Sequence, residues 1–435
     1  MKVTPALTIT DAMTADGPEL ITDGDMSNPA SFTLGAGWAI AGGLMTHTPG
    51  TFTEVTQAAA WVEGDLHTVG LTIASRTAGA MNLALGAFVA GSTIGQQSAN
   101  GALEFKNTAG SSGGLTRIEP TISSFDGTID NLSVKKEFSN IVENDLVRWD
   151  SGTAYIAGDE RMVTSGDVHS KYKCLVSNTN FYPPDNTAAA IGQTAIDAGV
   201  VVNWEDLGPT NRWAMLTSTS GIRSENANTI VVEITPGEVI NFFAAINVDA
   251  NTVQVIMTDP IDGEVYNRTV DLSSTVGIVG MYAWLFNPVE NATSIVLEDL
   301  PPYFSATIKV IYTKTGSTVF VGSQVIGLQK TLGVSDHGTS IGIINFSRKE
   351  QDVSGNYVFD EKGFKRRASY IVTVEPDLLS STEELLGKIL NIPSVWIGEE
   401  TIEPTIVFGF YTDHNTVLAG PTLYDLSIEV EGLIQ

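Results

Sequence analysis

Three segments decide the fold class: Thr229-Ile-Val-Val-Glu-Ile-Thr235, Thr252-Val-Gln-Val-Ile-Met-Thr258 and Ala306-Thr-Ile-Lys-Val-Ile-Tyr312. Their apolar and polar residues alternate, so residues two apart share one face of a half-buried strand. The same period recurs through most of the chain. It predicts an all-β multi-domain protein made of jelly-roll or β-sandwich domains, with a C-terminal mainly-β domain that carries one helix.

Residues 381–391 show a helical period instead. Ser381 and Glu384 fit a capping box, in which each side chain caps the other's backbone N–H, and Pro393 ends the segment. The apolar face comprises Leu385, Leu386, Ile389 and Leu390. We therefore expect one helix in the last domain, packed on a sheet.

Length and composition favour several domains. At about 100–200 residues per domain, 435 residues correspond to three or four domains. Only 17% of the residues are charged, below the roughly 25% of ordinary soluble domains. The single cysteine, Cys174, excludes an internal disulfide framework and a cysteine zinc site, which both need several thiols. We expect Cys174 to be a small core residue.

The net charge of −27 argues against nucleic acid as a partner, because a broad acidic surface repels phosphates. Residues 1–18 contain no apolar stretch of signal-peptide length, and the longest apolar run, 79–91, is too short to span a bilayer. We therefore expect a protein that is made in a cytoplasm and is neither exported by a signal peptide nor inserted into a membrane.

Turn and linker signals divide the chain into five parts. They are an N-terminal arm (1–16), a Gly/Thr/Ser-rich jelly roll (17–138), a small aromatic-rich β module (139–215), a β-sandwich (216–332) and a C-terminal β domain with one helix (333–435).

Motifs for catalysis are weak. Gly338-Thr-Ser-Ile-Gly342 matches a nucleophile elbow, but the residues that follow alternate like a strand, whereas the elbow needs a helix. The five histidines have no metal-ligand spacing, and no phosphate-binding loop occurs. With 50 acidic residues, some carboxylate pair is inevitable, so a glycosidase dyad stays open. We predict no catalytic residues and no enzyme.

Three segments of the first domain carry a resemblance: Glu19-Leu-Ile-Thr-Asp-Gly-Asp25, Gly37-Trp-Ala-Ile-Ala-Gly-Gly43 and Phe125-Asp-Gly-Thr-Ile-Asp130. In these residues the domain resembles jelly-roll carbohydrate-binding modules. The resemblance implies adjacent first and last strands, and a structural calcium ion whose oxygen ligands would be Asp23 or Asp25 and Asp130. No cofactor is required. Trp38 and Trp61 are candidate platforms for a sugar or receptor, with core packing as the alternative.

The second module opens with Trp149-Asp-Ser-Gly-Thr-Ala-Tyr-Ile-Ala-Gly-Asp159. This W-x5-Y-x2-G-D pattern resembles the small β modules of chitinases. Where those modules have paired exposed tryptophans, this chain has Ser177-Asn-Thr-Asn-Phe-Tyr-Pro-Pro184. The difference favours a rigid spacer over a chitin-binding module.

The segment of roughly residues 147–435 resembles structural proteins of tailed bacteriophages. The motifs are Gly208-Pro-Thr-Asn-Arg-Trp-Ala-Met215, Thr258-Asp-Pro-Ile-Asp-Gly-Glu-Val-Tyr266, Leu300-Pro-Pro-Tyr303, residues 338–350, Val395-Trp-Ile-Gly398 and Ser427-Ile-Glu-Val-Glu-Gly432. It is most similar to the non-contractile tail-sheath and receptor-binding protein of short-tailed phages that carry a virion RNA polymerase. The resemblance implies a virion location and rings of the chain around the tail tube. The implied partners are tube or adaptor proteins and a host receptor or glycan.

Two other function classes remain open, a carbohydrate-binding tail adhesin and a glycan-degrading tail protein. Much of the sparse positive charge lies in one part of the last domain: Arg348, Lys349, Lys362, Lys365, Arg366 and Arg367. It is either a docking contact for acidic neighbours or a solvated face. Low charge density with many Thr, Ser, Asn and Gly residues suits broad subunit contacts that bury few unpaired charges.

Overall fold

The computed structural model describes residues 1–14, 19–58, 66–86, 93–108, 115–120, 124–164, 168–219, 221–274, 281, 290–351, 357–360, 362–399, 402–418 and 423–434. The chain divides into two compact units. The sandwich unit is Thr14–Val142, and the main unit combines Met1–Met13 with Glu143–Gln435. Strands are numbered along the chain, and β1 (Lys2–Pro5) belongs to the main unit.

The described strands of the sandwich unit form two sheets around one core. They are β2 (Thr33–Leu34), β3 (Trp38–Ala41), β4 (Leu44–His47), β5 (Val55–Ala58), β6 (Leu66–Ala78), β7 (Met81–Leu85), β8 (Thr93–Gln97), β9 (Gly101–Thr108), β10 (Leu115–Pro120) and β11 (Asp126–Lys136). One sheet has the order β2-β5-β10-β7-β8 and the other β3-β4-β11-β6-β9. Leu83 and Ile118 of the first sheet share a buried cluster with Val69 and Ile129 of the second. The unit is therefore a β-sandwich.

Glu19 holds the start of the sandwich unit beside its last strand. Its Oε1 accepts hydrogen bonds from the backbone N–H groups of Ile21 (3.0 Å) and Val134 (2.8 Å), and its Oε2 accepts one from Ser133 Oγ (2.6 Å). Leu20 N also donates to Val134 O. The first and last segments of the unit are thus adjacent, as the resemblance to jelly-roll modules implies.

The main unit continues with a small module. Its described elements are β12 (Ala154–Tyr155), β13 (Glu160–Val163), β14 (Ser170–Cys174), β15 (Asn178–Thr179), α1 (Ala188–Ile191), α2 (Gln193–Asp197) and β16 (Trp204–Pro209). Strands β13-β14-β16 form one sheet, and β12 pairs with β15. The core contains Tyr155, Tyr172, Cys174 and Trp204. Cys174 is buried, which raises the pKa of its thiol, as expected for a small core residue.

A second set of strands surrounds one long strand. They are β17 (Ser224–Ile234), β18 (Phe242–Asp249), β19 (Thr252–Asp259), β20 (Gly263–Asp271), β21 (Ser273–Ser274), β22 (Glu290–Asn291), β23 (Ser294–Leu297) and β24 (Thr307–Gly327). The order is β20-β19-β24-β18-β23, with β17 also paired to β24. Strand β24 pairs first with β19, as in Val255 opposite Val310, and then with β18, as in Ala244 opposite Val325. The three alternating segments quoted first lie largely in β17, β19 and β24, so their prediction as strands is confirmed.

The C-terminal part of the main unit forms a further sheet and one helix. Its elements are β25 (Lys330–Thr331), β26 (Val334–Ser335), β27 (Ser340–Asn345), β28 (Arg348–Gln351), β29 (Tyr357–Asp360), β30 (Phe364–Val374), α3 (Pro376–Lys388), β31 (Ser394–Ile397), β32 (Ile406–Val417) and β33 (Tyr424–Ile434). The order of the described strands is β25-β1-β31-β32-β33-β30-β26, and β27 pairs with β30.

Strand β1 lies inside this sheet, between β25 and β31. Val3 is opposite Lys330 on one side and Trp396 on the other, and it is fully buried. The residues that the sequence suggests as an N-terminal arm therefore begin with a strand that completes a sheet formed mostly by residues beyond 330.

Helix α3 confirms the predicted helix, but the predicted start is wrong. The helix begins at Pro376, whose fixed φ angle suits the first helical position. Ser381 lies within the helix, where its Oγ donates to Leu378 O, so it is not a cap. Leu386 and Ile389 of the predicted apolar face are buried in the core of the sheet.

The middle strands and the C-terminal sheet share apolar contacts. Phe242 and Ala244 of β18 and Val325 of β24 are buried in one cluster with Val395 of β31 and Phe408 of β32. Residues 216–332 and 333–435 thus belong to one compact unit.

The protein has the predicted all-β multi-domain fold, with helix α3 in its C-terminal part. Within the described part of the chain, no helix is both long enough and apolar enough to cross a membrane.

The buried position of β1 predicts a large effect of Val3→Asp. The substitution places a carboxylate where no water can solvate it, and we expect it to lower the free energy of unfolding by about 3–5 kcal/mol. Ile261→Asp is the matched control, since Ile261 is 90% exposed, and we expect a change within about 0.5 kcal/mol. Urea denaturation of the full chain measures both. Equal effects of the two substitutions would contradict the placement of β1.

Candidate functional site

The structure places Trp38, one of the two candidate sugar platforms, in the core. Its side chain is 6% exposed, and its Nε1 donates to Thr53 O at 2.9 Å. Its ring lies 4.6 Å from the His47 ring and 6.3 Å from the Phe125 ring, measured between centroids. No face is left for a ligand, so the prediction of a binding platform at Trp38 is wrong. Trp61 lies outside the described residues.

Two carboxylates of the predicted calcium site, Asp23 and Asp25, lie close to each other and both contact Ser27. Within the described ranges, no group of three or more Asp, Glu, His or Cys residues has the geometry to hold a metal ion. Asp23 accepts a hydrogen bond from Ser27 Oγ (2.5 Å), Asp25 accepts one from Ser27 N (3.3 Å), and Asp130 accepts one from Asn131 N (2.6 Å). These carboxylates stabilise local turns. A calcium site formed by Asp23 or Asp25 with Asp130 stays a prediction.

The nucleophile-elbow motif is part of a strand. Ser340 is exposed at the start of β27 and lies opposite Ser369 of β30. The strand context predicted from the alternating residues is confirmed, and it does not provide the strand-turn-helix geometry that activates such a serine.

A buried acid–imidazole pair occurs in the main unit. His169 Nδ1 lies 2.8 Å from Glu143 Oε2, and Thr210 Oγ1 donates to Glu143 Oε1 at 2.5 Å. Burial alone would raise the pKa of Glu143. The hydrogen bonds from His169 and Thr210, with the nearby charges of His169 and Arg212, outweigh it and lower this pKa below its usual value. In a catalytic triad the hydroxyl donates to the imidazole, and the imidazole donates to the carboxylate. Here the Thr210 hydroxyl donates to the Glu143 carboxylate, so the cluster is not a catalytic triad.

A further functional candidate is a long β-hairpin. We call residues 340–369 the hairpin arm. Strands β27 and β30 pair from Ser340 opposite Ser369 to Asn345 opposite Phe364, and β28 and β29 continue the hairpin beyond that point. In the described residues the pairing of β30 with β33 stops at Lys365, so β28 and β29 extend past the sheet.

Large apolar side chains are exposed along the hairpin arm. They are Ile341 (49% exposed), Ile343 (69%), Phe346 (39%), Tyr357 (55%), Phe359 (66%) and Phe364 (38%). Lys349 Nζ lies 4.1 Å from the centroid of the Tyr357 ring, and Lys365 Nζ lies 5.2 Å from that of Phe346. These are cation–π contacts, in which each ammonium group covers part of one ring face and leaves the other face free of that cation.

The charge of the hairpin arm is opposite to that of the chain. Residues 340–369 contain six basic and four acidic residues, a net charge of +2, whereas the whole chain carries −27. Several cations have acidic neighbours: Arg348 pairs with Glu350, Lys362 with Asp360, and Lys365 with Glu431. The basic run found in the sequence is thus part of a mixed apolar and basic surface.

Strand β27 adds an open sheet edge to this surface. Among the described strands it pairs only with β30. Unpaired strand edges present backbone N–H and C=O groups that can pair with a strand of another chain. Exposed apolar side chains, net positive charge and an open edge together give the hairpin arm the chemistry of a protein-binding surface.

Sequence reasoning found the charges of this surface but not its apolar residues. The sequence shows large apolar residues two positions apart, Ile341 and Ile343 in one segment and Tyr357 and Phe359 in another. Alternation places Ile341 and Ile343 on one face of β27, and Tyr357 and Phe359 on one face of β29. An apolar face of this kind is usually inferred to be buried.

Comparisons with known proteins give only solved structures of low similarity. No protein-family model and no curated protein matches the chain. Among solved structures, the N-terminal CBM22-1-CBM22-2 tandem domain of Paenibacillus barcinonensis Xyn10C is 13% identical, with 72% of this chain and 97% of that chain covered and a TM-score of 0.21.

Two further solved structures are similar at the same level. A GH78 family rhamnosidase of Bacillus sp. GL1 is 10% identical over 64% of this chain and 31% of that chain, with a TM-score of 0.18. An allantoicase is 10% identical over 74% of this chain and 93% of that chain, with a TM-score of 0.16.

The buried pair predicts a pH dependence of stability. Because the pKa of Glu143 is lowered in the folded state, its stabilising contribution is present above the unfolded value of about 4.3 and is lost as the pH falls through the folded value. Glu143→Gln should reduce stability at pH 7 by about 1–3 kcal/mol and lose less stability than the wild type on acidification. Urea denaturation at several pH values between about 3 and 7 measures both.

Glu238→Gln is the control for this experiment, because Glu238 is exposed. We expect it to follow the wild type at every pH. Identical acid sensitivity of the wild type and Glu143→Gln would contradict the role assigned to the pair.

Proposed function

We propose that this chain is a structural protein of a bacteriophage tail, a sheath or tail-tip component. It assembles into rings around the tail tube and contributes to attachment to the host receptor. The observation that carries the proposal is the hairpin arm, an exposed apolar and basic surface on an acidic chain. The resemblance of the sequence motifs to phage tail proteins is the reason for proposing the phage tail as the location.

A second copy of the same chain is the partner that fits the hairpin arm best. The arm has net charge +2, and the remainder of a second copy carries −29. Opposite charges attract at long range and orient two copies before contact, and the exposed aromatic rings then supply apolar area to bury. An arm that binds a different face of its neighbour makes a head-to-tail contact, and such contacts close into rings when the rotation permits.

The edge of β27 gives this contact a defined register. A strand of the neighbour that pairs with β27 would satisfy its backbone groups and bury Ile341 and Ile343. Two of the phage-like motifs, Val395–Gly398 and Ser427–Gly432, overlap β31 and β33 of the sheet from which the arm extends. We assign particle assembly to this sheet and its arm, and host attachment to the jelly-roll-like sandwich unit, whose loops can vary without disturbing its sheets.

The assembly predicts a specific effect of two substitutions in the arm. Tyr357→Ser with Phe359→Ser removes two exposed aromatic rings without touching a buried core. We expect the wild type to form oligomers at micromolar concentration and the double variant to be at least about tenfold weaker in association. Mass photometry across a concentration and salt series measures this, and association should weaken as salt screens the charges.

Phe304→Ser is the matched control, since Phe304 is 65% exposed but lies outside the arm. It should oligomerise like the wild type. A chain that stays monomeric at every concentration and salt, or a control as defective as the double variant, would refute assembly through the arm. Immunogold labelling of virions of the phage that encodes the chain tests the location separately, and label absent from the tail would refute it.

A further inference from the structure

The C-terminal sheet has a second exposed surface, at the end away from the hairpin arm. Strand β30 starts at Phe364, in the arm, and ends at Val374, opposite Tyr424 of β33. At about 3.3 Å per residue, its 11 residues separate the two ends of the strand by roughly 33 Å. We call residues 334, 375–379, 416–418 and 423–425 the distal end, because they lie around the Val374 end of β30.

Large apolar side chains are exposed at the distal end. Val334 lies opposite Thr373 of β30, and Val417 lies opposite Asp425 of β33. The exposed apolar residues are Val334 (72% exposed), Leu378 (44%), Val417 (52%), Leu418 (68%) and Leu423 (48%). Exposed apolar residues that lie together on a folded protein are typical of a protein-binding surface.

The start of helix α3 lies at the same end. Tyr411 Oη donates to Leu386 O at 2.8 Å, and Thr416 Oγ1 donates to Glu383 Oε1 at 2.8 Å. Lower residue numbers in the helix thus face higher numbers in β32, so the two elements run antiparallel. The first turn of the helix, with Leu378, therefore lies beside the end of β32.

The charge of the distal end is opposite to that of the hairpin arm. The distal end contains three acidic residues, Glu375, Asp377 and Asp425, and no lysine or arginine, a net charge of −3. All three are exposed. The arm carries a net charge of +2. The two surfaces therefore attract each other at long range, and each offers apolar side chains to bury on contact.

Strand β32 adds an open edge next to the distal end. Among the described strands, β31 pairs with β32 only as far as Gly409, whereas β33 pairs with it as far as Val417. In the described part of the chain, the side of β32 away from β33 thus has no strand partner over residues 412–417. Its length matches β27, whose six residues are likewise open on one side.

We propose that the distal end receives the hairpin arm of a second copy of the chain, with β27 of one copy paired to residues 412–417 of the next. The inference rests on the proposed assembly and names the face of the neighbour that the arm contacts. A contact between two arms would bring like charges together and stop at a dimer, because it uses the same surface twice. An arm on a distal end leaves one arm and one distal end free, so further copies add until a ring closes.

Leu418→Ser with Leu423→Ser tests the distal end in the full chain. Both side chains are exposed, so the fold should be retained, and the melting temperature at low protein concentration checks this. Sedimentation across a concentration series should show association at least about tenfold weaker than that of the wild type. Val147→Ser with Ile156→Ser is the matched control, since these residues are 71% and 66% exposed and lie outside both surfaces. It should associate like the wild type.

A mixing experiment tests the head-to-tail contact directly. The distal variant keeps an intact arm, and the arm variant, Tyr357→Ser with Phe359→Ser, keeps an intact distal end. At a concentration where the wild type is oligomeric and each variant alone is monomeric, an equimolar mixture should form dimers and nothing larger. Sedimentation velocity resolves these species.

Two results would overturn this inference and leave assembly through the arm intact: a distal variant that associates like the wild type, or a mixture that stays monomeric. A control as defective as the distal variant would also overturn it, since any exposed apolar pair would then have the same effect. A wild type that stays monomeric at every concentration would overturn both this inference and the proposed assembly.

Discussion

The main unit depends on one apolar contact, the packing of strands β18 and β24 against strands β31 and β32. Phe242, Val325, Val395 and Phe408 are buried there. Each fully buried side chain of this size contributes about 1.5–3 kcal/mol relative to an exposed one, so the contact joins the two sheets firmly.

The fold class could be predicted from the sequence because it depends on a local property. Alternation with a period of two is visible in any strand with one buried face, and β17, β19 and β24 follow it. The helix was also visible through its apolar face, but its start was not. Two starts fit the rules for a helix beginning: a capping box formed by Ser381 and Glu384, and a proline at the first position, Pro376. In the structure the backbone of Glu375 is extended and the helix begins at Pro376.

The candidate sites were harder to predict because they depend on which face of a strand is covered. Trp38 and Phe359 are both aromatic residues in alternating segments, yet one is in a core and the other is in solvent. The sequence specifies each strand but not what packs on it. The resemblance implied Asp23 or Asp25 and Asp130 as calcium ligands, and the structure shows the local bonds of these carboxylates: Asp23 and Asp25 accept from Ser27, and Asp130 accepts from Asn131.

The place of β1 in the C-terminal sheet has a consequence for the timing of synthesis. Lys2 pairs with Ile397, a partner 395 residues later in the chain. At roughly 5–20 residues per second, the ribosome needs on the order of 20–80 seconds to deliver that partner after β1 emerges. During this interval the sandwich unit can already fold, because its strands are all local to residues 14–142. The main unit closes last, and β1 is short enough, at four residues, to offer little edge for a wrong partner while it waits.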